Sequence, residues 1–91
     1  MQPSILIADD HPLVLKGLQD FLVEKGYNVI ASETDGEKAY DSIIKNHPDI
    51  AVLDIRMPLM TGIEIAKACK DNNILTKIIL ITFEIIIRAS H

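Results

Sequence analysis

Cysteine is nearly missing from this 91-residue chain. Cys69 stands alone, so no internal disulfide can form, and a reducing, cytoplasmic setting is expected. Basic residues are in deficit as well. Nine Lys and Arg face thirteen Asp and Glu, a net charge of −4, which leaves no basic stripe for a nucleic acid and predicts no direct nucleic acid binding by this chain. Long apolar runs are missing too. Ile78–Ile81 and Ile85–Ile87 fall far short of the ~20 residues that cross a bilayer, so no membrane partner is expected. The N-terminus lacks a basic segment leading into an apolar one, so no secretion leader is expected. No fixed-period repeat, low-complexity segment or linker interrupts the chain, and residues 1–91 read as one domain. What is present suffices for a core: 48% of residues are hydrophobic, too many for a disordered segment.

The apolar residues alternate between short runs and helical stripes. Ser4–Ala8 predicts a strand ended by Asp9-Asp10, and Pro12 suits the first position of a helix after His11. Val14, Leu18, Phe21 and Leu22 recur at helical spacing, with Gly26 as a stop. Val29–Ala31 reads as a second strand. A second helix opens at Thr34, through a capping box with Glu37, or at Asp35; its stripe is Ala39, Tyr40, Ile43 and Ile44, and Pro48 prevents its continuation. Ile50–Leu53 is a third strand ended by Asp54. Thr61-x-x-Glu64 starts a third helix with Ile65, Ala66 and Cys69 facing inward, closed by Asn72-Asn73. Ile78–Ile81 is a fourth strand ended by Thr82, and Glu84–Ser90 begins a fourth helix.

Strands without apolar–polar alternation are expected where both sheet faces are covered, which with β-α-β alternation predicts a doubly wound parallel α/β sheet. Ligands in such sheets bind beyond the carboxyl ends of the strands, at the reversal of strand order. Asp9, Asp10, Asp54 and Thr82 all follow predicted strands and should share one rim. Clustered carboxylates repel, and a hard divalent ion such as Mg²⁺ removes the conflict and joins carboxylates to a phosphate. Thr82 adds a hydroxyl that can donate to a phosphoryl oxygen. Asp10 has a second reading as a cap of the first helix. His11 and His47 both precede proline and read as loop residues, Cys69 reads as packing, and Met57 and Met60 read equally as packing or as contacts for a partner.

The segments ILIADDHPLVLKGLQDFL, DIAVLDIRMPLMTGIEIA and KIILIT resemble the receiver domain of bacterial two-component response regulators over about residues 4 to 83. The DDHP opening and the following Gly-Leu resemble the subgroup carrying a helix-turn-helix DNA-binding domain. The resemblance implies a flavodoxin-like sheet of order 2-1-3-4 and a phosphoryl group accepted on Asp54 from a sensor histidine kinase. It further implies Mg²⁺ held by Asp9, Asp10, Asp54 and the main-chain carbonyl of Arg56, a switch role for Thr82, and an output such as transcription.

The pattern also departs from the family. Receivers continue through a fifth strand and helix, and the lysine that ends the fifth strand has no counterpart here. Lys77 is no substitute, since it begins the fourth strand ~16 Å along from Thr82. The chain is therefore expected to be a C-terminally truncated receiver, with an exposed fourth-strand edge prone to self-association. A non-switching interaction module is the alternative function. A phosphatase of the haloacid dehalogenase type is disfavoured, because Arg56 stands where that family needs a second aspartate.

Overall fold

Each short apolar run forms a strand and each amphipathic stretch a helix, in the order β1 (Ser4–Ala8), α1 (Pro12–Glu24), β2 (Asn28–Glu33), α2 (Gly36–Asn46), β3 (Ile50–Asp54), α3 (Gly62–Asp71) and β4 (Lys77–Ile81). This computed structural model describes residues 2–82, so the helix expected over Glu84–Ser90 lies outside the described residues. All strand pairs are parallel and the sheet order is β2-β1-β3-β4, the predicted arrangement. The second strand is longer than its apolar signature, running through Glu33, because β1 supplies pairing partners as far as Ala8↔Glu33.

The sheet is covered on both faces. On one, Ile5 and Ile7 of β1 pack with Leu15 of α1, flanked by Leu18, Leu22, Val29, Ile50 and Val52. On the other, Leu6, Ala8, Ala51 and Leu53 meet Ala39 and Ile43 of α2 and Ile65 and Cys69 of α3. Successive strand residues therefore point to opposite helices, which is why β1 and β3 carry no polar alternation. In α1 the buried residue is Leu15, whereas Phe21, expected inward, is 55% exposed and lies beneath the Lys25 ammonium at 5.6 Å. Ile44, also expected in an inward stripe, is 46% exposed, while Ala39 and Ile43 are fully buried. Met57 is buried in the core and Met60 packs against it, so the packing reading holds for both.

Helix ends follow the local chemistry. Thr61 and Glu64 form a reciprocal capping box, with Glu64 N–H donating to Thr61 Oγ1 at 3.1 Å and Thr61 N–H to Glu64 Oε1 at 2.9 Å. At α2 the cap is Asp35, whose Oδ1 accepts from Lys38 N–H at 2.8 Å, which resolves the choice left between it and Thr34. His47 closes α2 in the left-handed region at φ 47. Strand β4 pairs with β3 alone among the described residues, and Ile79 and Leu80 are 42% and 38% exposed. No described helix is long and apolar enough to cross a membrane.

Candidate functional site

Strand order reverses between β1 and β3, and the register Ala8↔Leu53 sets their carboxyl ends side by side. The next residue along each strand is an aspartate. Asp9 is fully buried, and its N–H donates to Glu33 O at 3.1 Å, which ties the end of β1 to β2. Asp54 closes β3 and is 3% exposed. Asp10 lies on the outer lip, its side chain 36% exposed. It is not the cap of α1: that position belongs to His11, whose side chain makes no capping hydrogen bond, with Pro12 opening the helix.

His11 departs from its expected role as a plain loop residue. Its N–H donates to Asp9 Oδ1 at 2.8 Å, curling the chain back over the acidic pair, and its Nδ1 lies 2.8 Å from the same oxygen. That nitrogen is also 3.1 Å from Asp10 Oδ1 and 3.9 Å from Asp54 Oδ2. Lacking a second histidine at metal-ligand spacing, it gave no motif. The readable signal was its position two residues after a strand-end aspartate, where an Asx-type turn returns the chain and Pro12 fixes the entry into α1.

The loop after Asp54 is held by close backbone contacts. Arg56 N–H donates to Asp54 Oδ1 at 3.3 Å, Gly36 N–H to Pro58 O at 3.1 Å and Gly62 N–H to Ile55 O at 2.9 Å. Glycine is required at both contacts. A Cβ on Gly62 would stand 2.5 Å from Asp54 O, and one on Gly36 would overlap Met60 O and C. Leu59, between them, adopts φ 72, a left-handed conformation costing a branched residue about 1 kcal/mol.

Thr82 follows Ile81, which pairs with Asp54 and whose carbonyl accepts from Ile55 N–H at 2.9 Å. The threonine therefore lies on the same rim. Asp9, Asp10, His11 and Asp54 each present a donor atom within 4.8 Å of the others. A cavity of about 530 Å³, lined by Pro48, Asp49, Asn72, Ile74 and Leu75 among others, lies at the opposite end of the strands and contains none of the predicted site residues.

Burial pushes the Asp54 carboxyl above its ordinary value of 3.8; the Arg56 N–H opposes this, and the charges of Asp9 and Asp10 add to it. The His11 imidazole is raised above 6.5, chiefly by its hydrogen bond to Asp9, against desolvation and with help from the Asp10 charge. An acid with a raised folded pKa contributes stability below its unfolded value and loses it as pH rises through the folded one. Asp54→Asn, which retains an oxygen to accept from Arg56 N–H, is therefore expected to raise the Tm of the cation-free protein at neutral pH. The gain should fade toward pH values below 3.8, as thermal melts in chelator across pH will show.

A buried carboxyl oxygen without a partner is costly, and Asp9 Oδ2 is such an atom among the described residues. Clustered carboxylates with one orphaned oxygen fit a hard divalent cation, and Asp9, Asp10 and Asp54 are the oxygens that would hold it.

A family model for the response regulator receiver domain matches residues 5–88. The transcriptional regulatory protein DesR of Bacillus subtilis is 39% identical over 80 residues, 87% of this chain and 39% of DesR. The signal receiver domain of NarL from Mycobacterium tuberculosis superposes with a TM-score of 0.87 at 35% identity, covering 89% of this chain and 66% of that one. A Borrelia burgdorferi complex of CheX and CheY with BeF3 and Mg²⁺ matches at TM-score 0.81 and 31% identity, over 87% of this chain and 60% of that one. The relatives are mostly named as transcriptional or response regulators, and one is a protein-glutamate methylesterase. The chain spans less than two fifths of the length of most of these curated relatives.

Proposed function

This chain belongs to the response regulator receiver domain family, and from that premise we propose that it is a phosphoryl acceptor in two-component signalling, with Asp54 as the accepting residue. The observation that carries this reading is the position of Asp54: buried at the reversal of strand order, its carboxylate beside those of Asp9 and Asp10. An Asp54 oxygen attacks phosphorus, the bond from phosphorus to a kinase histidine nitrogen breaks, and an acyl phosphate forms. Catalysis of such a transfer is largely positioning and charge neutralisation. Asp9, Asp10, Asp54 and the Arg56 carbonyl would hold Mg²⁺, which would supply the neutralisation; the Mg²⁺ in the related CheX–CheY complex supports this choice of ion. The Arg56 N–H on Asp54 Oδ1 holds the nucleophile's orientation.

The acyl phosphate adds roughly −1.5 to −2 charge at neutral pH, by analogy with other phosphorylated side chains. Thr82, a hydroxyl on the same rim at the end of β4, is the group placed to answer it. The phosphoryl donor is a sensor histidine kinase, the setting is cytoplasmic, and the output is a regulatory one such as transcription. The receiver is a signalling module rather than a turnover enzyme.

Incubation with acetyl phosphate and Mg²⁺ followed by intact mass spectrometry should show one phosphoryl group per chain, absent when a chelator is added. Continuous hydrolysis of small phosphate esters without an adduct would point to a phosphatase instead. Asp10→Asn should weaken Mg²⁺ binding by about tenfold or more, and Thr82→Ala should leave that affinity nearly intact, both by calorimetric titration. Unchanged affinity in the first variant removes Asp10 from the ligand set.

A further inference from the structure

Resting on the cation site just proposed, we infer that His11 Nδ1 is a further donor to the bound ion, making this a mixed imidazole–carboxylate centre whose affinity for transition ions relative to Mg²⁺ is raised above that of the carboxylates alone. The separations of the donor atoms point to this directly. With metal–ligand distances of about 2.1 Å, donors at right angles around one ion stand about 3.0 Å apart, and opposite donors about 4.2 Å. His11 Nδ1 lies 2.8 Å from Asp9 Oδ1, 3.1 Å from Asp10 Oδ1 and 3.9 Å from Asp54 Oδ2. The three separations from Nδ1 are thus close to two edges and a diagonal, while the four donors together span up to 4.8 Å and would draw in around an ion.

The placement is built rather than incidental. The backbone of His11 is fixed by its own N–H on Asp9 Oδ1 and by the adjoining Pro12, so the ring starts from a pinned root. Asp9 contributes a second feature that points to an ion: its Oδ2 is buried with no hydrogen-bond partner among the described residues. A hard, all-oxygen pocket suits Mg²⁺, whereas an added imidazole shifts preference toward Ni²⁺ and Zn²⁺. On binding, the proton on Nδ1 would pass to solvent, leaving a neutral imidazole protonated at Nε2 whose Nδ1 lone pair faces the ion, while Asp9 Oδ1 keeps the hydrogen bond from the His11 backbone N–H.

The test uses Mn²⁺ with the whole chain at about pH 8, where imidazole is available as a ligand. Electron spin echo modulation of the Mn²⁺ complex should show a directly bound ¹⁴N, changed by ¹⁵N-histidine labelling and abolished in His11→Phe. Calorimetric titrations should show the Ni²⁺ to Mg²⁺ affinity ratio falling by about tenfold or more in His11→Phe, with Mg²⁺ affinity little changed. His11 is half-exposed, and circular dichroism will confirm that the variant folds; His11→Gln provides a smaller, polar check. Mn²⁺ bound without nitrogen coupling, or tighter binding of every ion in His11→Phe, overturns the inference while leaving the phosphoryl-acceptor reading in place. Failure of both Mg²⁺ and Mn²⁺ to bind overturns the cation site and the inference together.

Discussion

Asp54→Asn is expected to lose the labelling that acetyl phosphate should give the unaltered chain, by on the order of a thousandfold or more. Asparagine fills the same space and keeps an oxygen for the Arg56 N–H, so geometry survives while the nucleophilic charge does not. The neighbouring carboxylates are poor replacements. Asp9 is fully buried, with Oδ1 already engaged by His11, and Asp10 sits on the outer lip of the pocket. Peptide mapping provides the control. An adduct of undiminished yield in the variant, mapped to Asp9 or Asp10, would show that Asp54 is not the acceptor.

The second large effect is structural and comes from a residue with no side chain. Gly36→Ala should destabilise the chain by about 3 kcal/mol, the upper end for overpacking, and lower Tm by roughly 15 °C. The new Cβ would meet the carbonyl of Met60, a backbone atom that no rotamer change can move aside. For a domain whose whole stability is about 5–14 kcal/mol, that is a large fraction. Gly17→Ala is the matched comparison, since Gly17 lies inside α1 with nothing within 4 Å of an added Cβ. It should stabilise by roughly 0.5–1 kcal/mol through helix propensity and reduced freedom of the unfolded chain. Chemical denaturation of both variants decides the matter. Equal midpoints would mean that the Gly36 contact is soft.

Much of the architecture was legible because its determinants are local. Four apolar runs without polar alternation implied a sheet covered on both faces, and the structure pairs them as β2-β1-β3-β4. Strand-end aspartates were readable for the same reason, since a carboxylate can terminate a buried strand only where the sheet opens to solvent or to a ligand. The capping box of Thr61 and Glu64 was readable because both partners lie within one turn. Features set by distant contacts were not. Phe21 fits the helical stripe of α1 as well as Leu15 does, and only the position of β1 decides that Leu15 is the buried one. Gly36 could be given a purpose only after α2 and the loop after β3 had been brought together. His11 is the exception, since its nearest partners Asp9 and Asp10 are its sequence neighbours and only Asp54, at 3.9 Å, comes from another strand.

The stretch following Asp54 is stitched at two points, Gly36 to Pro58 and Ile55 to Gly62, while Asp54 itself sits at the end of a central strand. One wall of the pocket thus behaves as an anvil, unable to yield when charge is added against it. Whatever yields must stand opposite, where β4 gives way to Thr82 and, among the described residues, pairs with β3 alone. A signal written on Asp54 would therefore leave the domain sideways, through the end of β4, and not through the loop that presents the aspartate.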